Sequence, residues 1–375
     1  MSKLISVYDD EESLNNVMSA LTLDIDEVFF VYHHDTNKDD LYNVEKVLKR
    51  NKDIKIHFNC IHDDEVQLNR IIDDNPDIII EVSAVKYLSL FLFEIGLKKN
   101  KQIIYFDDEE NCIKDYKTHS VITDDLYRLD IEDVVYLRGG KIVSTMHRPI
   151  EDVEAREAIN QLAEENITNY SAFIKVIQRL NSILSNSRRI TSLTYETSED
   201  NIRYIKTNSR ITRKLIDIDG NTFTIRNKEL KKTIEISGTF LEQYIFNKLS
   251  ESRLFDDVMM SVVIDFANNK TRETVRCEID NMVISNNKLL FVSCKSNKAG
   301  TDSLNEIHVH NHMFGNSMSE PVLVIVEDLS KQSPSIYAKG KELGVKIIDN
   351  TDFVNNTIVD KFNDIFNGTY EYEKD

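Results

Sequence analysis

The stretch CEIDNMVISNNKLLFVSCKS, residues 277–296, contains two runs of alternating residues separated by a pair of asparagines. In a β-strand, residues two apart point to the same face, so Glu278 and Asp280 share one face of the first run. The asparagine pair suits a tight turn. If the two runs form a hairpin, both carboxylates converge with Lys295 of the second run on one side of the sheet.

Two carboxylates and a lysine are the residue types that metal-dependent phosphodiester cleavage requires. Carboxylate oxygens bind Mg²⁺ or Mn²⁺, and the metal activates water and neutralises charge in the transition state. A partly desolvated lysine orients or deprotonates the attacking water. We therefore predict Lys295, Asp280, Glu242 and Glu278 as catalytic residues, with the three carboxylates as metal ligands. An exposed ion pair across a hairpin is the alternative.

The same pattern extends through the last third of the chain. Glu242 lies on a predicted helix, and strands are predicted at 258–266, 275–284, 288–295 and 321–326, with a helix at 303–314. We assign residues 236–375 to this α/β domain. Residues 146–235 contain two helical segments and an Asp-Gly-Asn hairpin turn at 219–221, which predicts a small winged-helix-like connector.

Strand and helix patterns alternate in the first part of the chain, residues 1–145. β-Branched and aromatic runs predict strands at 4–8, 28–33, 54–61, 77–83 and 102–106. Such alternation predicts a parallel, Rossmann-like sheet with helices on both faces. Ligands of these sheets bind beyond the carboxyl ends of the strands, here the loops 9–16 and 83–87. No GxGxxG follows the first strand, so dinucleotide binding of the usual kind is not expected.

Charge is distributed unevenly along the chain. The net charge is −18, which argues against a non-specific coat on nucleic acid. Residues 201–235, however, hold 9 basic and 4 acidic side chains. This stretch can guide a polyanion; its candidate residues are Arg203, Arg210, Arg213 and Lys214. A solvated surface with ordinary charge scatter is the alternative.

Several sequence features bear on the compartment and on metal chemistry. The four cysteines are far apart and form no CxxC pair, which fits a reducing cytoplasm and argues against a zinc knuckle. The N-terminus shows no signal peptide, and the longest apolar stretch, residues 87–97, is too short to span a bilayer. His308, His310 and His312 do not share one helical face, which argues against a zinc site.

The motifs SGTFLEQY, CEIDNMV and FVSCKS within residues 237–295 resemble the PD-(D/E)xK domain of CRISPR-associated Rossmann fold (CARF) nucleases. The resemblance implies a restriction-endonuclease-like fold in which Glu242 and Asp280 are metal ligands and Lys295 is the catalytic lysine. Ser293 stands where the family pattern has a glutamate. Glu278 is a candidate to replace that glutamate as a metal ligand. The alternative is a catalytically inactive nuclease that only binds nucleic acid.

The N-terminal half resembles a CARF domain, and the whole chain is most similar to single-CARF ancillary effectors of type III CRISPR systems. This resemblance implies a homodimer that binds a cyclic oligoadenylate, most often cyclic tetra-adenylate, across its two-fold axis. By position, the candidate activator-binding residues are Asp10, Ser13, Asn16, Ser83, Lys86 and Tyr87.

The predicted function is thus an activator-gated, metal-dependent nuclease of antiviral defence that cleaves DNA, RNA or both. Two alternatives remain open from the sequence. One is a ligand-responsive transcription regulator with a degenerate nuclease fold, and the other is a ligand-independent restriction-type endonuclease.

Overall fold

The computed structural model describes residues 2–9, 12–34, 36, 38–62, 64–84, 86–146, 150–236, 239–268, 273–296, 300–315 and 318–372. Within these residues the chain forms three sheets, of seven, four and six strands. The first two correspond to the predicted Rossmann-like domain and connector, and the third to the predicted C-terminal α/β domain.

The first sheet has the strand order β3-β2-β1-β4-β5-β6-β7. Strands β1 to β5 are parallel, and β6 and β7 extend the sheet in antiparallel pairing. The strands are β1 Lys3–Val7, β2 Glu27–His33, β3 Lys55–Ile61, β4 Ile78–Glu81, β5 Ile103–Asp107, β6 Cys112–Asp115 and β7 Val121–Thr123. The helices are α1 Asn15–Thr22, α2 Lys38–Asn51, α3 Asp64–Asp73, α4 Tyr87–Lys98 and α5 Ile131–Leu137.

The predicted Rossmann-like sheet is confirmed. Strand β1 lies between β2 and β4, so the chain leaves β1 towards one edge of the sheet and later returns to its other side. This is a topological switch point, the position at which ligands of such sheets bind beyond the carboxyl ends of the strands. The candidate activator-binding loops are the two loops at this point.

The chain enters the third sheet before the predicted domain boundary at residue 145. Strand β8, Gly140–Met146, pairs antiparallel with a strand of the C-terminal domain and forms an edge of the six-stranded sheet. The boundary predicted from the pattern of helices and strands therefore falls inside a strand, because pairing with a partner more than a hundred residues away leaves no local signal in a short run.

The connector contains the four-stranded sheet, in the order β11-β12-β10-β9. Its strands are β9 Arg188–Arg189, β10 Thr194–Glu196, β11 Ile216–Asp219 and β12 Thr222–Ile225. Its helices are α6 Val153–Asn166, α7 Tyr170–Asn186, α8 Glu199–Thr207, α9 Ser209–Thr212 and α10 Lys228–Glu235. The predicted hairpin turn is present between β11 and β12, with Gly220 at φ +57°.

The C-terminal domain is built on the six-stranded sheet, in the order β17-β16-β15-β14-β13-β8. Its strands are β13 Asp257–Asn268, β14 Glu273–Ser285, β15 Lys288–Lys295, β16 Glu320–Ile325 and β17 Lys346–Ile348. Its helices are α11 Thr239–Ser252, α12 Thr301–Phe314, α13 Leu329–Gln332, α14 Pro334–Glu342, α15 Asn350–Asn355 and α16 Ile358–Phe366. Strands β14 and β15 form the predicted hairpin.

Shared apolar cores fix the three parts of the chain to one another. One core combines connector residues such as Phe173 and Phe223 with residues of α11 and of the six-stranded sheet. A second combines the N-terminal domain, including Val135 of α5, with Met282 and Phe291 of the same sheet. The six-stranded sheet is thus covered by both neighbours, and movement of either changes the packing around it.

The four cysteines are free thiols, of which Cys112 and Cys294 are buried. Among the described helices, none is long and apolar enough to cross a membrane.

Candidate active site

The C-terminal domain brings the predicted catalytic residues together. Asp280 lies on β14, Lys295 ends β15, and Glu242 lies in the first turn of α11. The Asp280 Oδ2 accepts the backbone N–H of Cys294 at 2.6 Å and the hydroxyl of Ser293 at 3.3 Å. These two bonds hold the Asp280 carboxylate against the strand that carries the lysine.

A small cavity of about 20 Å³ lies between β14, β15 and α12. This volume is enough for one water molecule or one ion. The polar residues that line it are Glu278, Asp280, Ser293, Lys295, Glu306 and His310. The predicted sharing of one site by Glu278, Asp280 and Lys295 is thus present in the structure.

The carboxylates of this site are crowded and poorly solvated. Burial, followed by the charges of Asp280 and Glu278, raises the pKa of Glu242 to about 8, and Lys295 opposes this rise. Burial also raises the pKa of Asp280, while the Cys294 N–H and the charge of Lys295 lower it. The site therefore carries more carboxylate than its lysine can neutralise.

The donor set fits a hard divalent cation in its chemistry. Mg²⁺ and Mn²⁺ bind oxygen ligands, and an added positive charge would relieve the repulsion that raises the pKa of Glu242. In the part of the chain that the structure describes, no three His, Cys, Asp or Glu side chains are grouped closely enough to hold an ion. Glu242 and Asp280 are the half-buried members of the predicted ligand set, and Glu278 is an exposed carboxylate at the cavity.

We expect the stability of the metal-free protein to fall as pH rises from about 5 to about 8. Glu242 has an ordinary pKa near 4.5 when unfolded and about 8 when folded. Between these values the folded state binds more protons than the unfolded state, so the free energy of unfolding decreases with pH. Thermal melting across this pH range, with a chelator present to remove metal, measures the dependence. Glu242→Gln should flatten the dependence in this window, and an unchanged slope in that variant would contradict the assignment.

Two side chains at the site were not among the predicted catalytic residues. Glu306 and His310 lie on α12 and line the cavity opposite the β-hairpin. The Glu306 carboxylate is 3.9 Å from the Lys295 ammonium. A sequence signal for both was available, since Ile307 and Phe314 are apolar at helical spacing and place their neighbours at the sheet.

Buried amides fix the helix that carries Glu242. The Asn281 Nδ2 donates to the backbone carbonyl of Glu242 at 3.2 Å, which ties α11 to β14. Next to Glu242 on α11, the side chain of Gln243 donates to that of Asn247, one turn further along the helix, at 3.0 Å. The Asn247 side chain in turn donates to that of Asn160 of α6 at 2.8 Å. The position of Glu242 is therefore set by side chains adjacent to the site and by the connector.

At the N-terminal sheet, the loop after β1 is held by its own side chains. Asn16 accepts the Asp9 N–H at 2.9 Å and donates to the Asp9 carbonyl at 2.7 Å. Lys86, from the loop after β4, lies 3.6 Å from the Asp9 carboxylate. The Ser13 hydroxyl is buried and has no hydrogen-bond partner among the described residues. Asp10 lies outside the described residues.

The loop after β4 is also internally bonded. The Ser83 N–H donates to the Glu81 carboxyl at 2.8 Å, the Ser83 hydroxyl also bonds that carboxyl, and the Phe106 N–H donates to the same hydroxyl at 2.7 Å. Burial raises the pKa of Glu81. Tyr87 is 66% exposed at the start of α4. Of the predicted activator-binding residues, Lys86 and Tyr87 are therefore the more accessible, whereas Asn16 and Ser83 shape the loops.

The predicted basic residues of the connector differ in their availability. Arg203, Arg210 and Arg213 are exposed on α8, on α9 and directly after α9. Lys214, in contrast, pairs with Glu165 of α6 at 2.6 Å. Arg203 also lies 3.9 Å from the Asp200 carboxylate, so Arg210 and Arg213 differ from it and from Lys214 in their surroundings, and the approach of a polyanion to these residues stays a prediction.

A family model matches the part of the chain that contains this cavity. Residues 229–361 match the sequence model of a family described as the Card1-like endonuclease domain. The match spans α11, the β14–β15 hairpin and α12, which carry every residue at the cavity. No curated protein sequence matches the chain significantly.

Solved structures share the fold at low sequence identity. Protein VC1899 from Vibrio cholerae has a TM-score of 0.78 and 16% identity, over 98% of each chain. Can2 from Sulfobacillus thermosulfidooxidans, solved in complex with cyclic tetra-adenylate, has a TM-score of 0.70 and 14% identity, over 96% of this chain and 99% of that one. A type III CRISPR defence DNA nuclease activated by cyclic oligoadenylate has a TM-score of 0.51 and 13% identity, over 86% of this chain and 45% of that one.

The predicted resemblance to CARF nucleases is thus confirmed by the domain match and by the fold. Residues 229–361 match the Card1-like endonuclease domain, and the whole chain shares its fold with Can2.

Proposed function

We propose that this chain is a metal-dependent endonuclease that a cyclic oligoadenylate, most often cyclic tetra-adenylate, activates in type III CRISPR defence. One observation carries the proposal: the residues that match an endonuclease domain are those that place Glu242, Asp280 and Lys295 at one site. The likeness in fold to Can2 and to a cyclic oligoadenylate-activated DNA nuclease supports the activator. The substrate class is nucleic acid, DNA or RNA.

In this mechanism Glu242 and Asp280 would hold Mg²⁺ or Mn²⁺, and Glu278 would supply a further carboxylate where Ser293 replaces the usual acid. The bound metal neutralises phosphate charge and lowers the pKa of water. Lys295 orients the attacking water and stabilises the negative charge that develops on the phosphate. The Ser293 and Cys294 bonds to Asp280 keep the ligand in place while the substrate binds.

The activator site is the crevice between the loops after β1 and β4. Lys86 is placed to meet a phosphate near the N-terminus of α4, and the ring of Tyr87 is available to stack on a base. The buried Ser13 hydroxyl offers a hydrogen bond that the protein itself does not use within the described residues. Asp9 is acidic, so a phosphate must compete with it for Lys86.

The proposal includes a homodimer through the N-terminal domain, which the exposed face of α4 supports. Tyr87, Leu90 and Leu97 are 66%, 67% and 45% exposed and recur at helical spacing, and Val66 of the neighbouring α3 is 65% exposed. Contiguous apolar surface of this kind marks an interface. A two-fold axis beside the crevice places two activator loops around one symmetric ligand.

The link from the activator to the nuclease is a set of bonds to the tip of the catalytic hairpin. The buried side chain of Asn287, between β14 and β15, donates to the Tyr127 carbonyl at 2.8 Å and accepts the Leu129 N–H at 2.9 Å. Nearby, Arg128 donates to Asp256 at 2.6 Å. The N-terminal domain therefore holds the turn that joins the two strands bearing Asp280 and Lys295.

We expect Asn287→Gly to reduce the activator's stimulation of cleavage by about tenfold, within the usual range of coupling free energies. Glycine tolerates the φ of 65° at this turn position, so the backbone is kept and only the side-chain bridge is lost. The ratio of rates with and without cyclic tetra-adenylate measures the effect. Asn286→Gly, at an exposed neighbour with φ 48°, is the matched control. Equal stimulation in both variants would rule out this bridge.

Cleavage of supercoiled plasmid and of single-stranded RNA, with Mn²⁺ and with or without cyclic tetra-adenylate, tests the proposed function. We expect cutting that requires both the metal and the activator. Cutting without the activator would instead indicate a ligand-independent nuclease. Tight binding of nucleic acid with no cutting would indicate a regulator with a degenerate nuclease fold.

A further inference from the structure

Three histidines on α12 differ sharply in their surroundings. His308 and His312 are exposed, whereas His310 is half-buried and lines the cavity that contains Asp280 and Lys295. Its ring centroid lies 6.3 Å from that of the buried Phe314. The sequence alone groups the three histidines, and the structure separates one of them from the other two.

The placement of His310 follows from the packing of its helix. Ile307 and Phe314, which are 2% and 0% exposed, lie three residues before and four residues after it, so all three occupy the sheet-facing stripe of α12. Burial of the two apolar residues fixes the helix against the sheet. The imidazole of His310 is consequently held at the wall of the cavity opposite the β-hairpin.

The charges around the cavity define which groups can meet a phosphate. Glu278 and Asp280 lie on the strand side and repel a phosphate unless a metal intervenes, whereas Lys295 attracts it. Burial lowers the pKa of His310, and the charge of Lys295 also lowers it, whereas the carboxylate of Glu306 raises it. A neutral imidazole has one N–H to donate and one nitrogen that accepts.

We propose that His310 contacts the substrate directly, donating a ring N–H to an oxygen of the scissile phosphodiester beside Lys295. This inference rests on the proposed nuclease function and adds a residue that no motif of the sequence assigned. A metal held by the carboxylates would neutralise charge on the phosphate, and Lys295 and His310 would contact the same phosphate.

The test compares His310→Leu, which keeps the bulk and removes the donor, with His310→Gln, which keeps a donor. His308→Leu and His312→Leu are matched controls on the solvent-exposed side of the same helix. Cleavage is measured at saturating cyclic tetra-adenylate over a range of substrate concentrations, so that kcat and KM are separated. Thermal melting and activator binding establish that each variant is folded, and His310→Ala replaces His310→Leu if that variant does not fold.

We expect His310→Leu to lower kcat about 10²-fold, as the loss of one donor to a developing negative charge does. His310→Gln should recover most of that loss, and the two control variants should match the wild type. A role in packing alone predicts the opposite order, with leucine tolerated better than glutamine. That order, or wild-type kcat in His310→Leu, overturns the inference while leaving the nuclease function intact. If the wild type cleaves neither plasmid DNA nor single-stranded RNA, both the His310 inference and the proposed nuclease function are overturned.

Discussion

Lys295→Ala is expected to reduce activator-stimulated cleavage by about 10³-fold while leaving the affinity for cyclic tetra-adenylate unchanged. Among the described residues that line the cavity, Lys295 is the only lysine or arginine. Three carboxylates, those of Glu278, Asp280 and Glu306, line the same cavity. Its removal leaves the attacking water without a partner and the phosphate without a fixed cation. The loops predicted to bind the activator follow strands of the N-terminal sheet, so the substitution does not alter their contacts with the activator.

The measurement is single-turnover cleavage at saturating activator, with activator binding followed by titration. Lys339→Ala is the control, because this lysine pairs with Glu342 at 3.1 Å on α14 and does not line the cavity. Lys295→Arg separates two roles: an arginine supplies charge but does not deprotonate water near neutral pH. A Lys295→Ala variant that keeps more than about a tenth of wild-type cleavage would remove the lysine from the mechanism.

The parallel strands of the N-terminal sheet could be predicted closely from the sequence. The run at 54–61 became β3 at Lys55–Ile61, and the run at 77–83 became β4 at Ile78–Glu81. Buried parallel strands are near-continuous runs of β-branched residues, which give a strong local signal. Strand β8 gave no comparable signal, because its partner is β13 and its own residues are largely exposed or half-exposed.

The candidate site was predictable where its residues lie on one hairpin. Alternation along β14 and a turn at the asparagine pair are local features, and they place Asp280 and Lys295 together. His310 depends instead on how α12 packs across the sheet. Helical spacing places His310 on the stripe of Ile307 and Phe314, but that this stripe meets a cavity beside Asp280 and Lys295 follows only from the tertiary structure.

The activator loops illustrate a different limit. The switch-point rule places the loops after β1 and β4 at the ligand crevice, and the structure has them there. The sequence did not indicate that Asn16 and Ser83 form hydrogen bonds within these loops. Asparagine and serine bond to a nearby backbone as readily as to a ligand, so their roles depend on local backbone geometry.

Asp280→Asn is expected to abolish cleavage to a similar degree, about 10³-fold, and also to remove the stabilisation that Mg²⁺ or Mn²⁺ confers. Asparagine is isosteric and its carbonyl oxygen can still accept the Cys294 N–H, so the fold is kept. The metal loses a charged ligand. Thermal melting with and without Mn²⁺, alongside cleavage, measures both effects.

The same substitution carries a third consequence that a purely structural role does not share. The Asp280 charge is one of the causes that raise the pKa of Glu242, so its removal lowers that pKa from about 8. The loss of stability with rising pH in the metal-free protein then occurs over a narrower range, ending at a lower pH. Asp265→Asn, which breaks a surface pair with Arg276 on the adjoining strand, should change none of the three readouts. A metal-induced shift that survives Asp280→Asn would show that the ion is held by other carboxylates.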